Sequence, residues 1–412
     1  MTDDSSKANG EAQSTRRNVL RSSAVLGGGT LLAGCSAMAP TATSNEGTEQ
    51  LTQTTTGTGE DEQLTQTDTS RGYAARDESG HLSPWTFERR SLGEYDIRVD
   101  IKYCGVCHSD IHQLRGDWWP QQYPQVPGHE MTGIVAEVGD SVTRFDVGDR
   151  IGVGTMVGCR GDCTADWGEE QYGENVLYTY GIPDPQSPTG ITQGGYANDI
   201  IVEEDFAIEI PETIQLEHAA PLLCAGITTY APLLNNSIEE GDRVGVAGIG
   251  GLGHLAVKLA VSKGAEVYAF TTTESKVEDI LSWGAEEAVF VDSPEALQPY
   301  YGTLDYMISA IAVNYNLGSY VPLVRPHGTY TQVGIPGEAL SFNQSVFNRS
   351  RVKYEGWLTG GIPQTQELVN YCAEHDIHPE IQMIEADEVN EAWEDVVDKE
   401  ARYRYVIDTE TI

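Results

Sequence analysis

The chain has 412 residues, enough for two domains with cores of their own. Its 63 Asp and Glu against 25 Lys and Arg leave a formal net charge of −38, which repels nucleic acid and anionic lipid and excludes both as partners of the folded part. The acids are spread along the chain, so they read as solubility chemistry for concentrated salt, where self-repulsion is screened, and point to a halophilic source. Seven cysteines, an odd number in a chain of this size, do not indicate a disulfide framework.

The first feature in chain order is "STRRNVLRSSAVLGGGTLLAGCS", from Ser14 to Ser36. Arg16 and Arg17 precede an apolar stretch, Ser22 to Gly34, that is too short and too Gly-rich to span a bilayer stably. Small residues then lead to Cys35. The order resembles a twin-arginine export signal closed by a lipoprotein cleavage box. A chance Arg pair in a disordered N-terminus is the plainer alternative. The expectation is a signal over residues 1–35, with the chain exported and held on the outer face of the cell membrane by a lipid on Cys35 alone; cytoplasmic residence is the alternative. Residues 36–70 are Thr, Gln, Gly, Ser and acids, with "EQLTQT" at Glu49 and again at Glu62. They can bury no core and read as a solvated, disordered tether.

The globular part begins near Arg71. "KYCGVCHSDIH", residues 102–112, packs Cys104, Cys107, His108, Asp110 and His112 together. It is either one arm of a closed zinc knuckle or part of an open site that does chemistry. His129 follows a Pro-Gly turn at the head of a stretch of alternating Val and Ile, and alone it reads as easily one way as the other. Cys224 sits on an apolar helix, where a free cysteine is more often a small buried hydrophobe than a ligand.

"DRVGVAGIGGLGHLAVKLAVSKGAEVYAFTTTESK" runs from Asp242 to Lys276. A strand, Val244 to Ala247, meets Gly248, Gly250 and Gly253 in G-x-G-x-x-G spacing. A helical pattern through Leu255, Leu259 and Ala260 follows, then a second strand, Glu266 to Phe270. A glycine triplet in this setting binds a dinucleotide. Gly248 makes the tight turn, and Gly250, with Gly251 beside it, lets backbone N–H groups approach a pyrophosphate at the helix N-terminus. The second strand ends on Thr271, Thr272 and Thr273, and Lys276 follows. A site for NAD would place a carboxylate there. Hydroxyls and a cation suit a 2′-phosphate, so NADP is expected, with Lys276 as a plain exposed helix residue the alternative. Further strands at Ala288–Val291, Asp305–Ser309 and Thr329–Val333 continue a parallel sheet. The nucleotide domain is placed at 207–345, and the flanks 71–206 and 346–412 form a second domain that the chain enters twice.

From about Arg71 onward the chain resembles zinc-dependent medium-chain alcohol dehydrogenases, in particular the cinnamyl alcohol dehydrogenase branch that uses NADPH. The matching stretches are "YCGVCHSDIHQ", "YPQVPGHE", "GGYA", "PLLCAGITTYAPL", "VAGIGGLGH", "FTTTESK", "GGIPQTQE" and "YRYVID", in order over roughly five-sixths of the sequence. The resemblance implies an α/β fold: a Rossmann doubly wound parallel sheet beside a GroES-like β-rich catalytic domain, with the active site in the cleft. It implies a catalytic zinc on Cys107, His129 and Cys224, three mixed ligands that leave a fourth position open. Cys104 is then a packed strand-end cysteine. Glu130 lies beside the metal as a transient ligand, and Asp110 accepts a hydrogen bond from His129. Ser109 takes a proton at the substrate oxygen and passes it through the cofactor ribose to His112. His108 faces the cofactor phosphates. Trp118 and Trp119 stand where the family lines its substrate pocket, though both could be core and at most one reaches it.

The implied reaction is hydride transfer between NADP(H) and a primary alcohol or aldehyde, mainly as an aldehyde reductase. A homodimer is the assembly the resemblance suggests. The family's structural-zinc lobe, C-x-x-C-x-x-C-x₇-C, is altered here. Cys163 keeps the second position, Cys159 is one residue early for the first, and Asp166 and Glu174 stand at the third and fourth. No conventional structural zinc is expected. Two other readings compete: an exported NADP-binding lipoprotein without turnover, and a zinc-free quinone reductase of the same fold. The complete ligand set weighs against both. Export also requires that cofactor leave already bound and be recycled outside.

Overall fold

The computed structural model describes residues 69–163 and 168–412. The signal, Cys35, the tether as far as residue 68, and Asp166 lie outside the described residues.

The strand Asp96–Gly105 organises the first sheet. Ile97, Val99 and Ile101 alternate along it and are buried, the period of a strand with one face on a core. It pairs antiparallel with Met131–Val138 on one side, and on the other with Asp199–Glu203 and then Arg404–Asp408. Arg150–Val153 and Ala207–Glu209 extend the sheet at one end, and Ile381–Glu385 closes it at the other. Residues 404–408 lie against residues 103–105, so the end of the chain is built into the same domain as its first segment.

The second sheet has six parallel strands in the order Glu287–Phe290, Glu266–Thr271, Arg243–Ala247, Leu304–Ser309, Val324–Gln332, Lys353–Gly356. This is the doubly wound order, in which the first strand is central and ligands bind beyond the carboxyl ends where the order reverses. Its inner strands are buried on both faces, as crossover helices require. Val244, Val246, Leu255 and Leu259 join a core cluster that continues to Ile97 and Ile151 of the other sheet. Phe270, Met307, Leu317 and Tyr330 form a second cluster. The helices Ala225–Asn235 and Gly251–Ser262 pack on one another.

Two expectations are corrected. The parallel sheet does not end before residue 345: Lys353–Gly356 is its sixth strand, paired with Val324–Gln332. Three of its four residues are exposed, so it has no apolar run to betray it. The cysteines do form one bridge, Cys159–Cys163, between thiols only four residues apart. A single local pair inside an odd total is invisible to a count. No helix among the described residues is long and apolar enough to cross a membrane.

Candidate metal and dinucleotide site

Each candidate ligand sits at the end of an element. Cys107 is the N-cap of the helix His108–Leu114, in extended backbone, and its N–H donates to Asp110 Oδ2 at 3.0 Å. His129 and Glu130 follow Gly128, whose φ of +106° favours glycine, and lead into Met131–Val138. Gly105 is needed for another reason: a Cβ there would overlap the Glu130 carboxylate. Cys224 lies at the kink before Ala225–Asn235. These turns bring ligand atoms of Cys107, His129, Glu130 and Cys224 within 4.8 Å of one another, all buried. His129 Nε2 is 3.1 Å from Cys224 Sγ, and its Nδ1 is 2.9 Å from Asp110 Oδ1.

The electrostatics fit a cation. A hydrogen bond from Cys224, with help from Arg404 and His129 against burial, holds the Cys107 thiol well below its usual range. The same shared bond, with burial, holds Cys224 well above it. Burial opposes a charge on His129, but Asp110 and Cys107 outweigh it and raise its pKa well above the ordinary imidazole value. Burial pushes Glu130 up to about 8 against the pull of Arg404. Arg404 Nη2 stands 3.3 Å from Glu130 Oε1, an ion pair not aligned as a hydrogen bond, so both carboxylate oxygens lack a donor among the described residues. Two sulfurs, an imidazole and an orphaned carboxylate, all buried, are a donor set for zinc. Cys104 lies outside the cluster, and burial raises its pKa well above the thiol range.

On the helix His108–Leu114, Ser109 is half-buried and His112 lies three residues on, on the same face. His112 Nδ1 is 2.7 Å from Asp117 Oδ2, while its Nε2 is buried without a partner among the described residues. The His108 ring stacks on His112 with centroids 4.4 Å apart, and burial, then the neighbouring His112, lowers the His108 pKa to about 4. Trp118 is tilted against the His112 ring, with centroids 5.4 Å apart, and its indole nitrogen is buried, whereas Trp119 is 50% exposed.

In the nucleotide turn, Gly248 has φ +82° and Gly250 has open space where a Cβ would be. A Cβ on Gly251 would press on the Arg404 guanidinium at 2.8 Å, and one on Gly253 would collide with the Gly248 carbonyl. Thr271 is buried at its strand's end and Thr272 is exposed at the tip. Lys276 is not a plain surface lysine. It is buried, its Nζ donates to the Ile249 carbonyl at 3.0 Å and lies over the Tyr403 ring, and burial, then Arg402, lowers its pKa to about 8. Arg402 is a second cation at this corner, bonded to Ser275 Oγ at 2.6 Å. Sequence reasoning missed Arg402 and also Arg404, which spans from the glycine turn to Glu130. "YRYVID" contains Arg404, and its only signal was an unexplained Arg inside an apolar strand.

The lobe between Met156–Cys159 and Val176–Tyr178 is built differently. Its disulfide consumes both thiols, and Glu174 is exposed outside the metal cluster. Glu170 is fully buried and clamps the lobe, accepting from Gly168 N–H and from Ile362 N–H at the start of the helix Ile362–His375.

A GroES-like domain with a buried mixed-ligand metal cluster, facing a parallel sheet with a dinucleotide turn, defines a two-domain metal-dependent dehydrogenase. Residues 93–212 match the alcohol dehydrogenase GroES-like domain and residues 251–374 the zinc-binding dehydrogenase family. NADP-dependent alcohol dehydrogenase C 1 of Mycolicibacterium smegmatis is 41% identical over 343 residues, 82% of this chain and 98% of that protein. Aldehyde reductase YahK of Escherichia coli is 43% identical, covering 80% of this chain and 95% of its own. A crystal structure of CAD from Helicobacter pylori complexed with NADP(H) superposes with a TM-score of 0.78 at 38% identity, over 83% of this chain and 98% of that one. The chain belongs to the zinc-binding alcohol dehydrogenase family.

Proposed function

We propose that this enzyme reduces aldehydes to primary alcohols with NADPH and runs the reverse oxidation with NADP, using zinc held by Cys107, His129 and Cys224. The observation that carries the reading is the buried cluster of these three side chains with Glu130, whose carboxylate has no donor among the described residues. Bound zinc supplies Lewis acidity toward the substrate oxygen and the dinucleotide supplies the hydride. Asp110 orients His129 so that Nε2 faces the two sulfurs. Glu130 stands ready as an additional oxygen ligand. Ser109 exchanges a proton with the substrate oxygen at the mouth of the site. The buried Nε2 of His112 is left to take the proton on the cofactor side, and Nδ1 hands it outward to the partly exposed Asp117. Trp118 lines the substrate side.

On the cofactor side, the N–H groups around Gly250 and Gly251 receive the pyrophosphate, and His108, neutral near pH 7, offers a hydrogen bond instead of a charge. Thr271, Thr272 and Lys276, with Arg402 beside them, receive the 2′-phosphate. The relatives named for NADP support that choice.

The protein works exported and anchored through Cys35 in a salt-rich setting. The Cys159–Cys163 disulfide supports this, because such bonds persist in oxidising compartments, and so does the net charge of −38. A second copy pairs along the open edge of Lys353–Gly356, where Phe342 and Tyr354 are exposed, since a bare sheet edge is otherwise a liability.

Oxidation of NADPH with an aromatic aldehyde, alongside zinc content, tests the reading. Zinc-dependent turnover is expected. Turnover of quinones without zinc would favour the quinone reductase, and cofactor binding with no turnover would favour a binding lipoprotein.

A further inference from the structure

The stretch Gly194–Ala197, "GGYA", has no part in the reaction described so far, yet the Tyr196 hydroxyl reaches Asp110, the partner of His129. Tyr196 is completely buried. Its N–H donates to the Pro127 carbonyl at 2.9 Å, and its own carbonyl accepts from Tyr73 N–H at 2.9 Å. The two preceding glycines allow this close approach. A Cβ on Gly195 would collide with Met131, and one on Gly194 with the Pro127 carbonyl. The chain is thereby pressed against the strand that begins just after His129 and Glu130.

The Tyr196 hydroxyl donates to Asp110 Oδ2 at 3.0 Å. The indole N–H of Trp393, on the helix Val389–Asp398, donates in turn to that hydroxyl at 3.4 Å. Asp110 is fully buried and accepts four hydrogen bonds among the described residues, with the buried Tyr180 phenol a further group beside it. Oδ1 takes Gly128 N–H at 3.1 Å and His129 Nδ1 at 2.9 Å; Oδ2 takes Cys107 N–H at 3.0 Å and the Tyr196 hydroxyl. Two backbone donors and His129 fix the carboxylate from the ligand side, and the phenol fixes it from behind. Packing alone would be served by Phe. A buried hydroxyl aimed at a carboxylate adds an orienting contact.

We propose that Tyr196 is a positioning residue of the zinc site: through Asp110 it sets the plane of the His129 ring and so the direction of Nε2 toward the metal. Trp393 extends the chain of donors to the last segment of the catalytic domain, so the C-terminal helix supports a ligand set assembled elsewhere. The proposal rests on reading Cys107, His129 and Cys224 as the zinc ligands.

The test is zinc release from the purified holoenzyme to a chromogenic chelator, for the native protein, Tyr196→Phe, Asp110→Asn and the double variant. Loss of an outer partner of a metal ligand costs about 10- to 100-fold in metal retention, so Asp110→Asn is expected to release zinc faster by about that factor, and Tyr196→Phe, one bond further out, by less than Asp110→Asn but by more than about twofold. If Tyr196 acts through Asp110, adding Tyr196→Phe to Asp110→Asn changes release by less than about twofold. Release from Tyr196→Phe within twofold of native would overturn the proposal. So would an undiminished effect in the Asp110→Asn background, which would mark a merely structural role. A native protein without zinc would overturn the ligand reading and this proposal with it, whereas zinc in the native protein and a silent Tyr196→Phe would overturn this proposal alone. Should Tyr196→Phe not fold, Trp393→Phe loaded with cobalt serves instead: shifted d–d absorption bands support the proposal, and bands identical to native contradict it.

Discussion

The catalytic cluster and the lobe over residues 156–178 each contain two cysteines, and they use them in opposite ways. In the cluster, Cys107 and Cys224 come from separate elements and converge on an imidazole and on a carboxylate that has no donor among the described residues. In the lobe, Cys159 and Cys163 are neighbours in sequence and bond to each other. Two thiols make a metal site only when other ligands converge on them. Where those ligands are a distant exposed Glu174, a local covalent bond closes the turn.

The largest effect expected on breaking this contrast is at the cluster. Cys107→Ser and Cys224→Ser should each reduce NADPH-dependent turnover by more than the roughly 100-fold that loss of an outer-shell partner costs. Cys104→Ser, outside the cluster, should keep native turnover in the same assay.

At the cofactor corner, native kcat/KM should favour NADPH over NADH. The charge-assisted contacts that Thr271 and Lys276 offer to the 2′-phosphate contribute about 1.5–3 kcal/mol, or about 10- to 100-fold. Thr271→Asp should flatten or reverse the ratio. Equal use of both cofactors by the native enzyme would show that the corner does not discriminate.

The lobe should give a smaller and different response. Replacing both Cys159 and Cys163 by Ser removes a short covalent loop, a loss of about 2 kcal/mol by loop entropy. Melting temperature should fall by several degrees while turnover at 25 °C and catalytic zinc persist. Loss of zinc from this variant would mean that the lobe and the cluster are not independent.

The smallest effect is a pH dependence. Burial lowers the Lys276 pKa to about 8, so its charge is present below that pH and is lost as pH rises through it. The Kd for NADPH should therefore increase between pH 7 and pH 9, while the Kd for NADH stays flat. Parallel curves for the two cofactors would remove Lys276 from the phosphate site.

How much of this the sequence carried depends on the range of the signal. The dinucleotide turn was legible because strand, glycines and helix are contiguous from Val244 to Ala260, and backbone geometry demands those residues. The zinc ligands were not legible from spacing. Cys107, His129 and Cys224 are far apart in the chain, each looks ordinary alone, and resemblance to a family brought them together. The edge strand Lys353–Gly356 carried no apolar run, since its side chains face water. The roles of Arg404 and Tyr196 depend on contacts with Glu130 and Asp110, hundreds and tens of residues away, which no local pattern encodes.

The central claim is that one zinc sits on Cys107, His129 and Cys224 and that the lobe carries none. Metal content per chain, measured by mass spectrometry on the native protein and on Cys224→Ser, tests it most directly. One zinc in the native protein and none in the variant is the predicted result. Two zincs with one surviving in Cys224→Ser, or full zinc in that variant, would contradict it.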